Sequence, residues 1–204
     1  MIDFFYEESA LTQNEKTAKA KFYTFKAISI TSYVLMVLWI LLVYYGYEYS
    51  SNILLDIIIV IIPFGIFLTS GILLGKFKNR FYVDYDYTIV SDSLRFSKVI
   101  KNIKRKFILK FNASQIEKIG EYGFGLYDKY ASMPNVSKLI LTSNPTPADE
   151  KDFYYIVANV NSEKKLLILE CTEKFIVNVM KFANKNVLDE EYVKKLSNKK
   201  LWFI

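Results

Sequence analysis

Residues 71–107, GILLGKFKNRFYVDYDYTIVSDSLRFSKVIKNIKRKF, contain the change of period that decides the fold. From Ile57 to Gly75 the chain carries no charge; beyond Lys76, Lys78 and Arg80 it alternates. In FYVDYDYTIV the apolar positions are Phe81, Val83, Tyr85, Tyr87 and Ile89, with Asp84, Asp86 and Thr88 between them. A repeat of two puts apolar side chains on one face of a half-buried strand. Ser91-Asp92-Ser93 has turn chemistry, and Leu94 and Phe96 then alternate with Arg95 and Ser97. Lys101-Asn102 marks a second turn before Phe107, Leu109 and Phe111. An apolar helix gives way here to a β meander.

Upstream lie two charge-free segments, Ala27–Tyr47 with 21 residues and Ile57–Gly75 with 19. At 1.5 Å per residue the first spans about 31 Å, the thickness of a bilayer core. Neither shows a polar stripe, and Phe22, Tyr23, Phe25, Tyr44, Tyr45, Tyr47 and Tyr49 flank the first as an interfacial belt would. The spacing predicts a transmembrane hairpin over 27–75, with helices at 27–47 and 53–75. Pro63 is expected to bend the second. The 26 residues before the first helix, and its length, favour an anchor over a cleaved signal.

Charge is unevenly distributed. The 204 residues carry a formal +6, but residues 76–118 alone carry eleven Lys/Arg against four acids. Lys16, Lys19, Lys21 and Lys26 precede the first apolar segment, and Lys76, Lys78 and Arg80 follow the second. The link between the segments has no Lys or Arg. The positive-inside rule then puts the protein in the cell membrane as a multi-pass chain with both termini cytoplasmic. Gly71-Ile-Leu-Leu-Gly75 is a GxxxG spacing, so Gly71 and Gly75 are helix-packing candidates. They pack on the first helix of their own hairpin or, alternatively, on a second copy as a homodimer.

Further strands are expected around Gln115–Glu121, Val136–Ser143, Asp152–Val160 and Lys164–Glu170. Thr172 is a helix N-cap, and Phe175, Ile176, Val179, Met180, Phe182 and Ala183 share one face of the helix that follows. Seven short antiparallel strands grouped four and three, closed by one amphipathic helix, resemble the pleckstrin-homology-like (PH-like) fold. The fold class is thus an α+β membrane protein, a two-helix hairpin followed by that domain. Residues 1–26 are a cytoplasmic N-terminal segment, 81–186 the PH-like domain and 187–204 a basic, aromatic tail. Residues 71–107 and the stretch KDFYYIVANVNSEKKLLILECTEKFIVNVMKFANK also resemble an uncharacterised family of Firmicutes membrane proteins. That resemblance covers nearly the whole chain and implies architecture and location, without a known activity. Eukaryotic PH domains carry their phosphoinositide-binding basic motif around the first two strands and a Trp in the helix. Here the densest basic run, Lys101–Lys106, falls between the second and third expected strands, and 172–186 contain no Trp.

The chain has no His and one cysteine, Cys171. That composition excludes a disulfide framework, a His/Cys zinc site and any His base, and no cofactor is expected. Cys171 reads as a buried structural thiol, Asp189-Glu190-Glu191 as a solvated surface run, and Gly120-Glu-Tyr-Gly123-Phe-Gly125 as a loop hinge lacking a phosphate-loop ending. The strongest candidate site is Lys98, Lys101, Lys104, Arg105, Lys106 and Lys110. Juxtamembrane cations attract anionic lipid at about 1 kcal/mol each, although a solvated, edge-guarding strand uses the same residues. Alternation would put Lys104, Lys106 and Lys110 on one face and Arg105 with Phe107 on the other. The expected function is a non-enzymatic, membrane-anchored binding or scaffold module. Its partners would be the bilayer, anionic lipid headgroups or a protein as yet unidentified. The alternative is nucleic-acid binding through basic strands, which inward-pointing aromatics disfavour. The ending Leu201-Trp-Phe-Ile204 either dips into the interface or packs on the domain.

Overall fold

The computed structural model describes residues 4–48, 52–184 and 186–201. The expectations for Tyr49, Lys185, Trp202, Phe203 and Ile204 lie outside the described residues. The chain forms two compact units: Asn14–Tyr82, and Met1–Gln13 together with Val83–Ile204.

The first unit is a helical hairpin. Helix α1 (Glu15–Gly46) starts well before residue 27, because the Asn14 side chain accepts from the Thr17 amide and a Glu15–Lys19 pair of 2.7 Å supports the first turn. Counting uncharged residues finds only the apolar part of such a helix. The second arm comprises α2 (Ile53–Asp56), a π-helical stretch (Ile57–Ile61) and α3 (Ile62–Phe77), ending in a 3₁₀ turn, Lys78–Arg80. Pro63 sits just past the π stretch and has no N–H to offer the turn before it. Trp39 Nε1 donates to the Val60 carbonyl at 3.2 Å. Both arms are long and apolar enough to cross a membrane. Gly71 lets the Tyr33 ring approach so closely that an added Cβ would stand 2.8 Å from it, and a Cβ on Gly75 would stand 3.1 Å from Ser29 Oγ. Ser29 Oγ donates to the Gly71 carbonyl at 2.7 Å. The GxxxG face therefore meets α1 of its own hairpin.

The second unit is built from two four-stranded sheets. One has the order β1 (Phe5–Ala10), β2 (Val83–Val90), β3 (Ser93–Ile100), β4 (Lys104–Asn112). The other has the order β5 (Ile116–Glu121), β7 (Asp152–Val160), β8 (Glu163–Cys171), β6 (Val136–Ile140). Tyr87, Ile89, Leu94, Phe96 and Phe111 from the first sheet meet Ile119, Ile156, Leu167 and Leu169 from the second in one core. Helix α5 (Glu173–Met180) closes it with Phe175, Ile176 and Val179. The outer face of β7 and β8 is also buried, through Tyr155, Val157, Leu166 and Ile168 against Tyr127 of the short helix α4 (Tyr127–Ala131). Burial on both faces explains their nearly unbroken apolar sequence.

Four expectations need correction. The sheets have eight strands among the described residues, because Phe5–Ala10 is a strand paired antiparallel with β2 and residues 1–26 are no separate segment. Its charges disguised it: Glu7 accepts from Arg105, and Glu8 accepts from the amide and hydroxyl of Thr172. Second, β5 leaves the meander for the other sheet. A reciprocal cap between Asn112 and Gln115 turns the chain after β4, and β5 then pairs with β7. Third, the sheets are not wholly antiparallel, since β6 pairs with β8 in parallel. Pro145 and Pro147 offer no N–H, which blocks a tight β6–β7 hairpin. Fourth, the unit does not stop at 186. Ile119 donates its amide to the Val187 carbonyl and accepts from the Asp189 amide, both at 2.8 Å, and α6 (Glu190–Leu201) follows.

Candidate binding surface

The β3–β4 hairpin carries five of the six candidate cations in β structure and the sixth, Lys101, in its turn. Lys101 and Asn102 have φ of 55° and 54°, the pair of positive values that a tight hairpin turn with native twist requires. Register then decides what each side chain faces. Lys106 lies opposite Lys98, which lies opposite Tyr85, which lies opposite Ala10; one row crosses all four strands. The next row on the same face towards the turn is Val83, Ile100 and Lys104. Both rows continue the face that holds the core aromatics, at its open end.

A bulge changes the rest. Phe96 opposes Leu109 while its neighbour Ser97 opposes Phe107, so Ile108 is an extra residue on β4. Lys104 and Lys106 therefore share the inner-face side, and Lys110 falls with Arg105 and Phe107 on the other. Uniform alternation groups Lys110 with Lys104 and Lys106, and no sequence signal marks the bulge. On the outer face Arg105 reaches back across β3 to Asp86 Oδ2 at 2.7 Å and to Glu7 at 3.2 Å. Asp86 is buried and also accepts from Ser9 Oγ at 2.7 Å, so Arg105 neutralises a buried carboxylate. Arg105 is thus a structural cation. Lys110 stands across from Arg95, a like-charge pair on a solvated face.

Sequence reasoning passed over the residue at the tip. Ile103 is 79% exposed, and Phe107 is 58% exposed on the outer face. Ile103 follows Lys101-Asn102 and precedes Lys104, so an apolar side chain within a polar, basic turn was the available signal.

Other candidates are structural. Cys171 is fully buried, and burial pushes its thiol well up, away from the reactive range. Asp189 is not a solvated surface residue. It is 2% exposed, and its carboxylate accepts from the Leu126 amide, the Tyr155 hydroxyl and, as N-cap of α6, the Glu191 amide. Burial works to raise its pKa, but those three donors outweigh it and hold the group below its usual range. The glycines serve the same junction. Gly125 has φ +61° and leaves no room for a Cβ beside Asp189, and the Tyr155 ring lies 2.6 Å from where a Cβ on Gly120 would be. The sequence analysis also missed Glu170, fully buried and held by Thr142 Oγ1, Asn144 Nδ2 and the Ala148 amide. Asn144 extends the network to the Leu11 carbonyl and the Gln13 amide, tying down the segment after β1. Four donor contacts satisfy that carboxylate, so its role is to organise loop 141–148.

An open groove of about 720 Å³ runs beside α5 and the start of α6, lined by Met180, Val187, Leu188 and Val193. Lys118 Nζ closes part of it by donating to the Asn186 and Leu188 carbonyls at 3.1 and 3.4 Å. Among the described residues no cluster of three or more carboxylate or thiol side chains could hold a metal ion. No curated protein and no solved structure matches the chain. The chain matches a domain family described as a bacterial PH-like domain over residues 3–189. The match begins at the strand before the hairpin, includes both apolar helices and ends at Asp189, where α6 is capped. With the two sheets and the closing helix α5 in place, this chain belongs to the bacterial PH-like domain family DUF6106.

Proposed function

We propose that the protein is a multi-pass membrane protein that holds its PH-like domain at the cytoplasmic face as a non-enzymatic binding or scaffold module. Membership of a PH-like family supports a binding or scaffold role. The single observation that carries the reading is where the hairpin enters: it interrupts the domain between β1 and β2, so two covalent links attach the domain to it. A helix pair in a soluble core would be mostly buried, whereas only 11% and 6% of the two apolar windows are buried. Lys-rich flanks on both outer ends of the hairpin support cytoplasmic termini.

Reporter fusions test it. A reporter after Ile204 is expected to read cytoplasm and one placed within residues 49–52 to read outside. A C-terminal reporter active outside the cell overturns the topology. Release of the full chain from membranes by alkaline washing overturns the anchoring.

A further inference from the structure

The exposed apolar tip, the lysines around it and the topology of the links point to the same end of one sheet. Ile103 is 79% exposed and closes the Lys101-Asn102 turn, its amide donating to the Ile100 carbonyl at 3.2 Å. Lys101, Lys104 and Lys106 surround it in sequence, and register puts Lys104 and Lys106 on one face with Lys98. Arg105 pairs with buried Asp86, and the other cations at the turn, Lys101, Lys104 and Lys106, are lysines on flexible stems. The two links leave from this end of the same sheet. Ala10, last residue of β1, is in the row of Lys98 and Lys106; Val83, the first residue after the hairpin unit, is in the row of Ile100 and Lys104. At ~4.8 Å between strands, Lys104 lies about 10 Å from Val83 within the sheet.

We infer that the β3–β4 turn is a bilayer contact, in which Ile103 enters the interface of an anionic membrane while Lys101, Lys104 and Lys106 meet lipid phosphates. This rests on the proposed membrane anchoring. An exposed apolar side chain with lysines before and after it in a hairpin turn suits a surface that is apolar below and negative above. A soluble anion would leave Ile103 in water, and a protein partner would not explain why the turn lies at the link end of the sheet. Two short links also keep the turn at high local concentration near lipid, so weak individual contacts suffice.

The test uses the full chain in liposomes of phosphatidylcholine alone or enriched in phosphatidylglycerol. Ile103→Cys carries an environment-sensitive fluorophore, and Ser132→Cys beyond α4 carries it as a reference; native Cys171 is buried. The expected result is blue-shifted emission at position 103, quenched by nitroxide lipids, in the phosphatidylglycerol liposomes only. High salt, or K101Q/K104Q/K106Q, should abolish the shift, while position 132 stays water-like. Water-like emission at 103 in both liposomes overturns the contact, as does an equal shift at 132. Alkaline extraction of the same liposomes reports anchoring separately: a chain that stays embedded with a water-exposed residue 103 refutes this inference and leaves the proposed function standing.

Discussion

Ala10 and Tyr85 face each other in the β1–β2 ladder although the entire helical hairpin is strung between them. The junction is also pinned by side chains: Thr12 Oγ1 donates to the Val83 carbonyl at 2.8 Å and its amide to Asp84 Oδ1 at 2.7 Å.

Because the strand ends meet, the hairpin should be removable. Replacing residues 14–82 with a short Gly/Ser link should give a soluble, β-rich domain that unfolds cooperatively. A fragment of residues 81–186 loses β1 and the Val187–Asp189 segment, exposes the β2 edge and should aggregate. Circular dichroism and size-exclusion chromatography of the two proteins compare them directly; equal behaviour would show that β1 is dispensable.

The closing helix works through Phe175. That ring is fully buried, 5.6 Å from Tyr87 centroid to centroid, whereas Phe182 is only partly buried and leans on Phe4 at 5.3 Å. In the soluble domain Phe175→Ala should cost about 3–5 kcal/mol and Phe182→Ala clearly less, read by denaturant titration.

Asp189 makes acid stability depend on the C-terminal segment. Its folded pKa lies below the unfolded value, so its contribution is complete above about pH 4 and is lost as pH falls through the folded value. Asp189→Asn should lower stability at neutral pH and flatten the loss between pH 4 and more acidic conditions. An unchanged acid limb in thermal melts would contradict this. Gly125→Ala should weaken the same junction, through a strained positive φ and a clash with Asp189.

Asn144→Ala should destabilise the unit by about 3 kcal/mol, since it strips donors from a buried carboxylate and frees the segment after β1. Hydrogen exchange at the Gln13 amide is the specific readout.

Within the hairpin, Ser29→Cys with Gly75→Cys should oxidise to an intramolecular bridge, because an added Cβ on Gly75 comes within 3.1 Å of the Ser29 side chain. The product should run as a monomer on non-reducing gels. A dimer band as the main product would place the glycine face on a second copy.

Periodicity was enough to read the hairpin, the meander over β2–β4, the apolar strands β7 and β8, and the helix closing the core. Each of these announces itself locally, through an unbroken apolar run, a repeat of two or a repeat of 3.6. The candidate lysines were legible as a cluster, but their grouping was not. One extra residue at Ile108 reverses every face beyond it, and a bulge has no compositional mark.

The order of residues by itself determined where apolar and alternating segments begin, the charge asymmetry around the hairpin and the absence of histidine chemistry. Only the tertiary structure decided that FYEESA is a strand, that Arg105 belongs to Asp86, and that Glu170 and Asp189 are buried organisers. In each case the partner is far away in sequence: Arg105 with Glu7, Glu170 with Thr142 and Asn144, Asp189 with Leu126 and Tyr155. A charged side chain looks solvated until the donor or counter-ion that offsets its burial is brought beside it, and only the folded chain does that.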